Sequence, residues 1–276
     1  MATPSGRQGV FTGAEPESVP LSLHLILAVP TVLLWVHSFP RGARRGLTLD
    51  FGAPTITDAF TAHFVHLSTG HLLSNLILYA LVVSTAYLLA WRCGDRRTFR
   101  RGFLTVLLVF PPVLSGLSVA LGRTALGYGF SGLNMALFGL LTVLLARFLV
   151  HRFGLHVDDR GVALFGVGVV LLTLRSLPTT GATLAIAGSA ACLSLASVVG
   201  RLRDLPSVTP ARQTARRQVG DLELAIFASL LSWTVPIVAF SVPSSVGDAL
   251  GLYVHFLGYG LSFTVLYVAD AVGLLA

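Results

Sequence analysis

The sequence contains no lysine. All 19 basic residues are arginine, set against 12 acidic residues for a formal net charge of +7. Charged residues occupy only 11% of the 276 positions, while 54% are hydrophobic. That composition excludes a soluble domain of this length and points to a polytopic membrane protein. Cysteine is scarce as well: Cys93 and Cys192 fall in a predicted inner loop and inside an apolar segment, which gives neither a disulfide framework nor a metal site. Also missing are a His-Glu-x-x-His zinc motif, a Glu-Glu-x-x-x-Arg motif and a pair of aspartates within apolar segments. Metal-dependent and aspartyl hydrolysis within the membrane are therefore set aside, and no metal or cofactor is expected. No basic run is interleaved with stacking aromatics, so the arginine excess marks membrane loops and not a nucleic-acid partner.

Residues 1–19, rich in Gly, Ser, Pro and Glu, have little to bury and read as a disordered cytoplasmic tail ahead of a membrane domain over 20–276. Eight apolar segments follow, near 20–39, 70–91, 102–122, 131–150, 162–177, 181–200, 221–242 and 250–274. Each is about long enough to cross ~30 Å of hydrocarbon. The first lacks a small-x-small cleavage pattern after it and reads as a retained span. The fold class expected is all-α, a polytopic transmembrane helix bundle.

Two arginine-rich loops set the orientation. One holds Arg92, Arg96, Arg97, Arg100 and Arg101, and the other Arg201, Arg203, Arg212, Arg216 and Arg217. With both termini cytoplasmic, both loops fall inside; Arg41, Arg44 and Arg45 fall outside and are outnumbered. The outer loop between the first two spans mixes Leu47, Leu49, Phe51, Ile56 and Phe60 with Asp50 and Asp58, the pattern of an interfacial, partly buried segment.

Three places carry polar side chains that the apolar background makes conspicuous. Gly129-Phe130-Ser131-Gly132 opens the fourth span, and Gly132, Ala136 and Gly139 continue as a small-residue stripe. Taken alone, it is a packing site as readily as a nucleophile's seat. A serine at a helix start does gain from unpaired backbone N–H groups and the dipole's positive end. His71 and Asn75, four residues apart, share a helix face at the start of the second span; they fit interhelical glue or a functional donor pair. His255, with Gly258 on its face, sits about a turn inside the last span, as a packing or proton-relay group or as a base. All three places lie at the outward ends of their spans, within about two turns of one interface. A serine, a histidine base and a His/Asn donor pair are the parts that acyl transfer needs. Asp270 lies roughly 22 Å along the helix from His255 and cannot orient it, so a Ser–His dyad is the economical reading.

In these motifs the chain resembles the rhomboid family of intramembrane serine proteases. The matching residues are His66, His71 and Asn75 (His-x-x-x-x-His-x-x-x-Asn), Gly129, Ser131 and Gly132 (Gly-x-Ser-Gly), and His255 and Gly258 (His-x-x-Gly). The resemblance implies a six-helix core with about two additional spans, located in the cell membrane with the active site toward the outer leaflet. It implies Ser131 as nucleophile, His255 as general base, His71, Asn75 and the Ser131 N–H around the oxyanion, and His66 in a supporting place. The substrates implied are transmembrane segments of other proteins. The chain departs from the family pattern in four respects. Three spans stand between the serine and histidine spans where the family has one, Met135 replaces an aromatic, Ser262 replaces a second glycine, and the outer loop has no Trp-Arg signature. The alternative reading is a non-catalytic rhomboid-like protein that binds or escorts membrane clients.

Overall fold

The computed structural model describes residues 19–122, 126–153, 219–239 and 246–275, with helical positions at 166, 168–170, 184–185 and 188–192. The tail and the second arginine loop lie outside the described residues, and the fifth and sixth predicted spans lie mostly outside them. Among the described residues the fold is all helical. The long helices are α1 (Val19–His37), α4 (Thr69–Cys93), α5 (Arg96–Ala120), α6 (Ser131–Phe153), α7 (Val219–Ala239) and α8 (Val246–Ala271). Between α1 and α4 lie two short helices, α2 (Arg41–Arg45) and α3 (Ile56–Thr61), and a 3-10 turn at Ala62–Phe64.

Among the described residues four helices are long and apolar enough to cross a membrane: α4, α5, α6 and the Val254–Ala271 part of α8. Leu21–His37 of α1 is a shorter apolar helix. Large apolar side chains such as Leu27, Leu108 and Leu230 stand exposed, which suits contact with lipid tails better than with water. The helices begin and end where local chemistry allows. Ser68 caps α4 by accepting the His71 N–H at 3.3 Å, and Gly94 closes it at φ 76°. Helix α5 starts at Arg96, six residues before the apolar segment does, because arginines are good helix formers and hydropathy marks only the lipid-embedded part.

Helix α6 is apolar around its whole circumference and is accordingly the central helix, buried along most of its length. It runs parallel to α8. Ser131 meets His255 at one end, the Ser262 hydroxyl donates to the Ala136 carbonyl at 2.6 Å midway, and Arg147 bonds Asp270 at 2.6 Å at the other end. The small-residue stripe makes this approach possible: a Cβ on Gly139 would stand 2.8 Å from the Phe263 nitrogen. Thus Ser262, which stands where the family pattern has glycine, contributes a hydrogen bond to the same close packing.

A cluster of ion pairs ties the ends remote from Ser131. Arg147 also bonds Asp95 at 2.8 Å, and the buried Asp221 at the start of α7 pairs with Arg92 (3.3 Å) and with Arg152. These contacts fix the directions of the helices. α4, α6 and α8 run one way and α5 and α7 the other, as does α1, whose last residue His37 reaches Thr69 at the start of α4. The end of α6 and the start of α7 therefore lie at the same end of the bundle. An even number of crossings between them, as in the pair of spans read from the sequence, is compatible with this.

Candidate active site

The segment ahead of α6 is held in extended form against the loop between α1 and α4. Leu49 and Gly127 exchange backbone hydrogen bonds of 2.9 Å in an isolated antiparallel bridge. The Gly129 N–H donates to the Ala62 carbonyl at 3.0 Å, and the Phe130 N–H donates to His66 Nε2 at 3.3 Å. Gly129 has φ 107°, and a Cβ there would lie 2.7 Å from His71 Cε1, so glycine is demanded by both the backbone and the space. The loop between α1 and α4 is thus partly buried, as its mixed composition indicated: Leu49 is 2% exposed, Ile56 89%.

The first rung of α6 is Asn134 N–H to Phe130 C=O at 2.9 Å. The N–H groups of Ser131, Gly132 and Leu133 precede it and carry the positive end of the helix dipole. Ser131 Oγ lies 2.6 Å from His255 Nε2, a hydrogen-bonding distance between a hydroxyl and a nitrogen base. Both line a cavity of about 280 Å³ together with His71, Gly129, Gly132, Tyr128 and Val254. Asp270, salt-bridged to Arg147 at the far end of α8, is remote from this pair.

Asn75 is placed differently from His71. It is buried and is not among the cavity-lining residues. Its amide donates to the His71 carbonyl at 3.0 Å, and its Oδ1 accepts from Asn134 Nδ2 at 3.0 Å. His66 is fully buried beneath His71, with ring centroids 5.0 Å apart. Gly258 packs on α6: a Cβ there would lie 2.6 Å from the Gly132 carbonyl oxygen. A Gly258→Ala variant should push α8 off α6 beside the Ser–His pair, costing about 1–3 kcal/mol. Reactivity of Ser131 toward a fluorophosphonate and the midpoint of thermal unfolding should fall together; an unchanged midpoint contradicts the packing argument.

Sequence reading missed Asn134, although it is the one amide on α6 and lies three residues after Ser131, on its face. It also missed His63, Ser115 and Ser118, which line the same cavity. His63 Nε2 sits 2.9 Å from the Pro111 carbonyl and 3.0 Å from Ser115 Oγ, which itself donates to the Ala59 carbonyl at 2.7 Å. The spacing of Ser115 and Ser118 on one face of α5 was the available signal.

Burial lowers His63 from the ordinary value of 6.5 to about 4. It likewise lowers His66 to about 3, with the charges of His71 and His37 acting in the same direction. The unfolded chain binds protons that the folded one refuses. Stability is therefore full above about pH 6.5 and declines as pH falls toward 4 and 3, by ~1.4 kcal/mol per pH unit for each group over its own window. Thermal unfolding in detergent should show a midpoint dropping steadily between about pH 7 and pH 4.5, and dropping less in His63→Asn. Equal slopes for the two proteins would contradict the assignment to His63.

Among the described residues no cluster of His, Cys, Asp or Glu is arranged to hold a metal ion. Cys93 and Cys192 are both free thiols. Comparison with known proteins finds no family model, no curated protein and no solved structure that matches the chain.

Proposed function

We propose that the protein is an intramembrane serine endopeptidase of the rhomboid type that cleaves transmembrane segments of other membrane proteins. The observation that carries this reading is the 2.6 Å contact of Ser131 Oγ with His255 Nε2 at the N-terminus of the central helix. In the reaction, Ser131 Oγ attacks the scissile carbonyl carbon while its proton passes to His255 Nε2. The tetrahedral oxyanion is held by the Ser131 N–H and by His71 across the cavity. The C–N bond breaks as His255 returns the proton to the leaving nitrogen, leaving an acyl ester on Ser131. Water then attacks that ester with His255 again taking the proton, and Ser131 is restored.

In this reading the six long helices form the rhomboid-like core and residues 154–218 are the addition to it. The protein is a multi-pass protein of the cell membrane with cytoplasmic termini and its cavity toward the outer leaflet, the sidedness that the arginine loops favour. The test is purified protein in detergent, given a single-span substrate and, separately, a fluorophosphonate. Cleavage within the span and an adduct on Ser131 are expected. A protein that binds the substrate but neither cleaves it nor takes the probe would be a client-binding protein instead.

A further inference from the structure

Arg44 is one of three outer-loop arginines that run against the charge bias of the remaining loops, and its contacts give it a different role. Its Nε donates to the Phe39 carbonyl at 3.1 Å and its Nη1 to the His66 carbonyl at 2.5 Å. The same Nη1 lies 2.9 Å from His37 Nδ1. One guanidinium thus ties the end of α1, helix α2 and the main chain of His66. His66 in turn accepts the Phe130 N–H on its ring, and Phe130 is the residue before Ser131. An unbroken chain of hydrogen bonds runs from Arg44 to the peptide that sets where the serine points.

The contact with His37 makes this chain conditional. An arginine can only donate, so His37 Nδ1 must present its lone pair, with the proton on Nε2 facing the Thr69 hydroxyl at 3.3 Å. Protonated His37 would carry N–H on Nδ1. It would then oppose the guanidinium, donor against donor and cation against cation, and would compete with it for the His66 carbonyl, 3.2 Å away. Around His37, α2 contributes the charge of Arg44, α4 the neutral Thr69 hydroxyl, and the segment before α4 His66, whose ring adjoins His71. His66 itself stays neutral down to about 3, so its ring keeps accepting from Phe130.

We propose that Arg44 is a positioning residue for Ser131, acting through the main chain of His66, and that it acts only while His37 is neutral. This rests on the reading of Ser131 as a nucleophile, so the test has one arm that needs catalysis and one that does not. In the first arm, kcat/KM for a single-span substrate is followed against pH with full-length protein. In wild type, protonation of His37 adds to that of His255, so on the acid side log kcat/KM falls below the single-proton line of slope about one by the same tenfold or more that loss of Arg44 costs. His37→Asn, whose side-chain oxygen accepts from Arg44 but does not titrate, falls with a slope of about one. Arg44→Gln loses kcat by about tenfold or more with little change in KM. Superimposable profiles for wild type and His37→Asn overturn the proposal.

In the second arm, amide hydrogen exchange of residues 126–130 is measured in the inactive Ser131→Ala background and corrected for the intrinsic pH dependence of exchange. Exchange should accelerate on acidification, should not do so with His37→Asn added, and should be fast throughout with Arg44→Gln added. If exchange behaves this way while Ser131→Ala still cleaves, the protease reading falls and the brace stands. If exchange in this segment is indifferent to His37 and Arg44, the brace is overturned whatever the activity.

Discussion

Alanine at Ser131 or at His255 is expected to lower kcat/KM for a transmembrane substrate by about 10⁴-fold or more, and the double variant to be little worse than either single one. In the proposed mechanism the two side chains act as a unit: without the imidazole the hydroxyl has nowhere to send its proton, and without the hydroxyl the imidazole has nothing to activate. Their 2.6 Å separation means that the proposed attack would need little rearrangement. Each variant removes side-chain atoms facing a cavity without adding any to the α6–α8 interface, so thermal midpoints should stay near that of wild type. Cleavage by purified Ser131→Ala at the wild-type rate would remove the dyad from the mechanism altogether.

His71→Ala is the second large effect, about 10²–10³-fold in kcat with KM little changed, the usual cost of one oxyanion donor. The two members of the His71/Asn75 pair are not equivalent. His71 lines the cavity, whereas the Asn75 amide donates to the His71 carbonyl and its oxygen is taken by Asn134. Asn75→Ala should therefore act through the placement of His71 and cost less. Asn134→Ala should resemble it, and the two should be far from additive, because they share one hydrogen bond. Initial rates for the three single variants and the Asn75/Asn134 double variant decide this. A deeper loss for Asn75→Ala than for His71→Ala would transfer the oxyanion role to the amide.

The sequence was most legible where chemistry and depth coincide. Ser131, His71 and His255 are polar residues near the ends of apolar segments, and counting along helices was enough to bring them to one level, where the structure places them in one cavity. Helix starts were legible where hydropathy changes at the helix end, as at Ser131. They were not at Arg96, because a backbone ladder continues through arginines that a hydropathy scan rejects. What stayed hidden depends on register between helices. That Asn134 meets Asn75, that Ser262 hooks the Ala136 carbonyl, and that Asp270 finds Arg147 are facts about two elements at once. Arg44 was hidden for a related reason: counted as a loop charge, it signals only sidedness, while its actual partners are two carbonyls and an imidazole.

The clasp at Asp221 has a consequence for how such a chain can grow. With Arg92 and Arg152 gripping one carboxylate, the stub where the polypeptide departs after α6 and the stub where it returns at α7 are stitched side by side. The two ends of the 154–218 segment therefore lie close together, while within it Val169 is buried in the core and Gly168 packs against Tyr259 of α8. Lengthening or shortening such a segment alters closure entropy only logarithmically, about 0.6 kcal/mol per doubling. The neighbourhood of Phe153 and Val219, beside this clasp and apart from Gly168 and Val169, is thus where added length costs the bundle least.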